Sequence, residues 1–293
     1  MKLGTFLALL DNTDEDIFTL NYIKSLIDED EAHIRGLWVT SSPNYHLGTI
    51  GQGLPAVVTE KIINETIEET KKGQKSSETF FDNWCKNNQI AIIDNFSYEN
   101  TIDNPKITAS FMARIGNPLE SIAEIGRVSD YIITPRSKWS QSEDRQDRIH
   151  AALFESARPV ILLPKDCEAK PIENIAIAWN GKSESAHAVA RAKPLLKRAK
   201  NIYIYIAPSA RTKFELSEEL QFYLSQHGIA SHIVEIDREM SNVGEAMLTQ
   251  AEKDNLDMLV MGAWSRSRLR QLILGGLTNY MLEHANLPVM MAR

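Results

Sequence analysis

Apolar residues along this chain follow two alternating rhythms. Short unbroken runs, such as Phe6-Leu-Ala-Leu-Leu and Ile175-Ala-Ile-Ala-Trp, are separated by stretches in which apolar residues recur every three or four positions. The first rhythm is that of a strand buried on both faces, and the second that of a helix with one face on a sheet. In the C-terminal half the runs predict strands near 174–179, 201–207, 230–236, 257–261 and 288–292. Helical spacing predicts helices near 184–198, 213–226, 244–254 and 277–285. Leu216, Leu220, Tyr223 and Leu224 form the stripe of a helix packed on a sheet, and Pro194 predicts a kink or restart in the first of these helices. Alternating strands and helices of this kind imply an α/β fold with a mainly parallel sheet covered on both faces.

The N-terminal half repeats the plan. Phe6-Leu-Ala-Leu-Leu-Asp11 corresponds to Ile175-Ala-Ile-Ala-Trp-Asn180, and Asp130-Tyr-Ile-Ile-Thr-Pro135 to Asp257-Met-Leu-Val-Met-Gly262. Gly116-Asn-Pro-Leu-Glu-Ser-Ile-Ala resembles Val243-Gly-Glu-Ala-Met-Leu, and Pro159-Val-Ile-Leu-Leu matches Pro288-Val-Met-Met. Four landmarks in one order indicate a duplication. The expected division is 1–168 and 169–293, with a polar linker from Lys165 to Ile172. The first half carries an added polar stretch, roughly 41–90, where Ile62, Ile63, Ile67, Phe80, Phe81 and Trp84 suggest an inserted helix. Its charged run Thr59 to Lys72 reads as a solvated helix face, or as a cover over the first half's cleft.

Composition narrows the function. The 293 residues, 43% hydrophobic and 24% charged, suffice for two domains with their own cores. A net charge of -7 speaks against general affinity for nucleic acid or an anionic membrane. The apolar run at Phe6 to Leu10 is too short, and too soon followed by acids, for a signal peptide, so a cytoplasmic location is expected. Cys85 and Cys167 form no redox or metal motif, and the seven histidines show no helix-face metal spacing, so no metal is expected.

In parallel sheets, ligands bind beyond the carboxyl ends of the strands, which points to Asp11, Pro135, Asn180, Ala207 and Gly262. After Gly262 come Ala263-Trp-Ser265, nine residues from Arg266 to Leu274, and then Gly275-Gly276-Leu277 opening a helix. Strand, loop and helix N-terminus in this order present backbone N–H groups to an anion.

These residues resemble the universal stress protein family in its tandem two-domain form. The family's motif, Gly-x-x-Gly, nine residues, then Gly-Ser/Thr, has the spacing found here. Ser265 stands in place of the second glycine and Gly276 in place of the hydroxyl residue. Asn180-Gly-Lys replaces the family's Asp-Gly-Ser. The resemblance implies two tandem Rossmann-like domains of the adenine nucleotide α-hydrolase type, each a five-stranded, mainly parallel sheet flanked by helices. It further implies an adenine nucleotide, ATP or AMP, in the second domain, held by Asn180, Ala207, Met261, Gly262, Ser265, Arg266, Arg268, Gly275, Gly276 and Leu277. Gly262 would let backbone approach the phosphates, Arg266 or Arg268 would add charge-assisted bonds, and Asn180 would meet the ribose. Losing the hydroxyl at Gly276 costs such a site about 0.5–1.5 kcal/mol, and an amide at Asn180 about 1.5–3 kcal/mol.

The first half keeps Asp11 but replaces the glycine loop with Pro135-Arg-Ser-Lys-Trp, and proline offers no N–H. That half therefore reads as structural. The resemblance also implies pairing of the closing strands, Val160–Leu163 and Val289–Met291, as a pseudo-dimer within one chain, with homodimers compatible. The functional expectation is a stress-response factor that binds nucleotide, with at most slow ATP hydrolysis. The alternative is a scaffold or small-molecule-binding stress protein acting through protein partners. A true ATP-using enzyme would need a glycine-rich pyrophosphate loop after the first strand, which Trp179-Asn-Gly-Lys is not.

Overall fold

Eleven strands join in one sheet in the computed structural model, which describes residues 2–27, 31–42, 56–93, 106–136, 143–207, 214–237, 242–263 and 276–293. In chain order the elements are β1 Lys2–Leu10, α1 Glu15–Ile27, β2 Glu31–Ser41, α2 Ala56–Asn87, β3 Ala91–Ile92, β4 Ile107–Gly116, α3 Pro118–Arg127 and β5 Tyr131–Pro135. Next come α4 Glu143–His150, which runs into a π-helical turn at Ala151–Glu155, and β6 Val160–Leu163. The second half comprises β7 Asn174–Trp179, α5 Ser183–Leu196, β8 Asn201–Ile206, α6 Glu215–Gln226 and β9 His232–Glu235. It closes with α7 Val243–Lys253, β10 Met258–Gly262, α8 Gly276–His284 and β11 Val289–Ala292.

The strand order is β3-β4-β2-β1-β5-β6-β11-β10-β7-β8-β9. Every neighbouring pair is parallel except β6 and β11, where Val289 lies opposite Leu162 and Met291 opposite Val160. The alternation of side chains then builds two cores, one on each face of the sheet. Phe6, Ala8, Ile161, Leu163 and Met290 face one way, under α1, α2, α5 and α6. Leu7, Leu9, Val160, Leu162, Val289 and Met291 face the other, under α3, α4, α7 and α8. Both cores cross the β6–β11 seam without interruption.

Duplication shows in the hydrogen bonds. Asp130 Oδ2 accepts from the Thr5 N–H at 2.8 Å, and Asp257 Oδ2 accepts from the Glu173 and Asn174 N–H groups at 2.9 and 2.8 Å. Each carboxylate thus ties the entry of its half's first strand. Asn117 caps α3 by accepting from Leu119 and Glu120, and Asn242 caps α7 by accepting from Gly244. The repeat therefore aligns on these asparagines rather than on Gly116 and Gly244. Gly244 has a packing reason instead, since a Cβ there would lie 2.5 Å from the Tyr280 ring.

Among the described residues the N-terminal half contributes six strands rather than five, because the two-residue β3 pairs along β4. α5 continues through Pro194 and ends two residues later, so the proline falls in its last turn rather than breaking it. The inserted segment is a single 32-residue helix, α2, buried chiefly through Ser77, Phe81, Trp84 and Cys85. Among the described residues, no helix is long and apolar enough to cross a membrane.

Candidate functional site

The carboxyl edge of the second half is formed by four adjacent strands. Met261 pairs with Ala178 and Gly262 with Ala292, while Trp179 pairs with Ile206. That register sets Asn180, Ala207 and Gly262 side by side just past the strand ends. α8 must run back to the amino end of β11, so its first residues, Gly276 and Leu277, begin on this same edge. Met261 is buried in the sheet, Asn180 and Gly276 are exposed, and Ala207 and Leu277 are half-buried. Ser265, Arg266, Arg268, Gly275 and Trp264 lie outside the described residues.

Asn180 is already engaged on one side. Its Oδ1 accepts from the Lys182 N–H at 3.0 Å and from the Ser185 hydroxyl at 2.9 Å, an arrangement that sets the entry to α5. Its amide nitrogen has no acceptor among the described residues and remains as a donor at the edge. Of the two groups that Asn180 could offer a ribose, the carbonyl oxygen is thus engaged in its own turn.

Gly262 has a reason other than phosphate approach. A Cβ on it would stand 2.6 Å from the Ser185 backbone nitrogen and 2.7 Å from the Glu184 carbonyl carbon. Backbone cannot yield as a side-chain tip does, so glycine is required here for α5 to sit against β10. Gly276 is the opposite case: a Cβ would meet nothing within 4 Å among the described residues.

Sequence reasoning did not identify Leu216 as part of this edge. Gly181 has φ +69, and a Cβ there would lie 2.7 Å from Leu216 Cδ1. The Trp179 indole N–H donates to the Leu216 carbonyl at 2.8 Å. The beginning of α6 therefore forms an apolar wall beside Asn180. The only signal in the sequence was Asn180-Gly181, a turn pair that admits a positive φ.

The matching edge of the first half is filled. Arg148, from α4, forms an ion pair with the Asp11 carboxylate. Asp16 turns its carboxylate back to accept from the Asp11 N–H at 3.1 Å and the Asn12 N–H at 3.0 Å. Asn12, at φ +57, donates from its side chain to the Gly73 carbonyl of α2 at 2.8 Å, so the inserted helix crosses this end of the sheet. The recess left between Leu9, Asp11, Thr134, Pro135, Arg148 and Ile149 is about 10 Å³, room for one water. Burial pushes the Asp16 carboxyl up to about 6, with the Asp11 charge adding to the rise and the N–H bonds opposing it.

Comparison with known proteins places this architecture. Residues 171–293 match the model of the universal stress protein family. A universal stress protein from Archaeoglobus fulgidus DSM 4304 superposes with a TM-score of 0.66 at 15% identity, covering 100% of this chain and 97% of that one. A functionally unknown protein from Pseudomonas aeruginosa PAO1 gives 0.52 at 13% identity over 99% and 92% of the two chains. A provisionally named universal stress protein from Pseudomonas aeruginosa UCBPP-PA14 gives 0.51 at 12% identity over 99% and 93%. At such identities the likeness is one of fold. No curated protein matches the chain in sequence.

Proposed function

We propose that this chain, whose residues 171–293 match the universal stress protein family model, is a cytoplasmic stress-response protein that binds one adenine nucleotide, ATP or AMP, in its second half. The observation that carries the reading is the asymmetry of the two carboxyl edges. Among the described residues, the first is closed by Arg148 and Asp11, whereas the second leaves the Asn180 amide, the Leu216 wall and the start of α8 uncovered. A helix N-terminus offers unpaired N–H groups and the positive end of a dipole to an anion. Gly276 and Leu277 supply these groups for phosphate, while Asn180 donates to the ribose and Leu216 offers an apolar surface to the base. Residues 1–168 act as the structural partner of residues 169–293, in place of a second subunit.

A scaffold role is favoured by one observation, the packing explanation of Gly262, which removes one argument for phosphate approach. Calorimetric titration of ATP and AMP into the full chain separates the two readings. The nucleotide reading expects one site per chain, or nucleotide retained through purification and released on denaturation. Absence of both outcomes overturns it and leaves the scaffold.

A further inference from the structure

Arg136 leaves the end of β5 at the edge of the closed first cleft. Its backbone N–H donates to the Leu163 carbonyl at 2.7 Å, tying it to β6. Its side chain crosses to the other half, where Nη1 donates to the Leu282 carbonyl and Nη2 to the Ala285 carbonyl. These are carbonyls at the C-terminal end of α8, part of the set a helix leaves without partners. No carboxylate among the described residues pairs with Arg136; its charge is answered by the negative end of the α8 dipole. Partial burial lowers its pKa from the ordinary guanidinium value, because leaving water disfavours the charged form.

The other end of α8 is Gly276-Leu277, on the open edge of the second half. The helix is a rigid body of nine residues, about 13 Å long. Thr278, Met281 and Leu282 bury it on the sheet, and Tyr280 packs on Gly244. The strand that follows it, β11, hydrogen-bonds to β6 of the first half. Both the C-terminal end of α8 and the strand beyond are therefore referenced to the first half. A shift at the clasped end is carried along the helix axis to the N–H groups at its start.

We propose that Arg136 is a positioning residue for the nucleotide site of the other half, and that bound nucleotide is felt by β5 of the first half through α8. The proposal rests on the nucleotide reading above. It assigns the first half an active part in ligand binding although its own cleft is closed.

The test is calorimetric titration of ATP into the full chain as wild type, Arg136→Met and Arg136→Lys. Methionine fills similar space without donors, and lysine keeps the charge without the two-pronged geometry. Arg136→Met is expected to weaken ATP binding roughly tenfold, with Arg136→Lys between it and wild type. Hydrogen exchange at the β5 amides supplies a readout that a static tie does not move. Saturating ATP is expected to slow exchange there in the wild type and not in Arg136→Met. Unchanged affinity in Arg136→Met, or no effect of ATP on β5 exchange in the wild type, overturns the proposal alone. Absence of ATP binding by the wild type overturns the nucleotide reading and this proposal with it. Should Arg136→Met not fold, Arg136→Lys decides: weaker binding supports the proposal, and wild-type affinity overturns it.

Discussion

The Arg148 guanidinium is ion-paired with the Asp11 carboxylate, although the two residues are 137 positions apart in the chain. Asp11 sits where the second half has Asn180, just past the end of its half's first strand. The first cleft thus closes upon its own side chains. Both partners are largely buried, at 17% and 20% side-chain exposure, so removing one leaves the other's charge poorly solvated. Arg148→Met is expected to lower the unfolding free energy by about 1–3 kcal/mol in urea titration. A loss no larger than an exposed pair gives, about 0–1 kcal/mol, would mean that water replaces the guanidinium freely.

Asp16 and His33 oppose one another in pH dependence. Asp16 is raised to about 6, mainly by burial, so its stabilising protonated form is fully present below pH 3.8 and is lost as pH rises through about 6. Burial, with Arg35 nearby, lowers His33 to about 4, so its contribution is present above pH 6.5 and is lost as pH falls through about 4. His33 is held between the Thr108 and Ser110 hydroxyls at 2.9 and 2.8 Å, which suits a neutral ring. Each contribution is worth about 3 kcal/mol. The wild type is therefore expected to change little in stability between about pH 4 and 6 on account of this pair. In denaturant titrations across that window, Asp16→Asn should show stability rising with pH and His33→Gln stability falling. Parallel profiles for the two variants would contradict the assignment.

The two glycines flanking the second half's loop are expected to behave oppositely. Gly262→Ala forces a Cβ to within 2.6 Å of the Ser185 nitrogen and should destabilise by about 1–3 kcal/mol. Gly276→Ala meets no described residue within 4 Å and should be neutral, or stabilise by up to about 1 kcal/mol. Thermal unfolding of both variants without ligand checks this. Equal effects would show that the start of α8 is as closely packed as the end of β10. Loss of nucleotide binding in a Gly262 variant would therefore report on α5 as much as on phosphate, and Gly276→Ser is the cleaner probe of the site. It should tighten ATP by roughly threefold to tenfold if the hydroxyl makes one net hydrogen bond.

Asn180→Asp should preserve the bonds from Lys182 and Ser185, because either carboxylate oxygen accepts them. The added negative charge lies at the N-terminal end of α5 and should raise stability by about 0.3–1 kcal/mol at low salt. The same variant should bind ATP more tightly in calorimetry. A gain in stability without a gain in affinity would place the nucleotide away from Asn180.

The strands and helices of the second half were legible because buried parallel strands are continuous apolar runs, and Ile175 to Trp179 is one. The duplication was legible in Asp130 and Asp257, which both tie first strands. What linear spacing hides is contact across the fold. Arg148 lies in a charged stretch with nothing to mark Asp11 as its partner, and Arg136 reads only as the residue after a loop-breaking proline. Gly262 was legible as a necessary glycine, but the neighbour requiring it, the backbone of Ser185, appears only once α5 is packed. The engagement of Asn180 with Ser185 likewise depends on how α5 begins.

The antiparallel seam between β6 and β11 has an evolutionary corollary. In a symmetric homodimer every substitution appears on both sides of the interface at once, so neither copy can lose its loop alone. Covalent fusion lifts that constraint. A first half whose cleft is held by the Arg148–Asp11 ion pair still presents Val160, Ile161 and Leu162 to the strand of its partner. Division of labour between the copies, one kept open and the other free to drift, is what this topology permits and a pair of identical subunits does not.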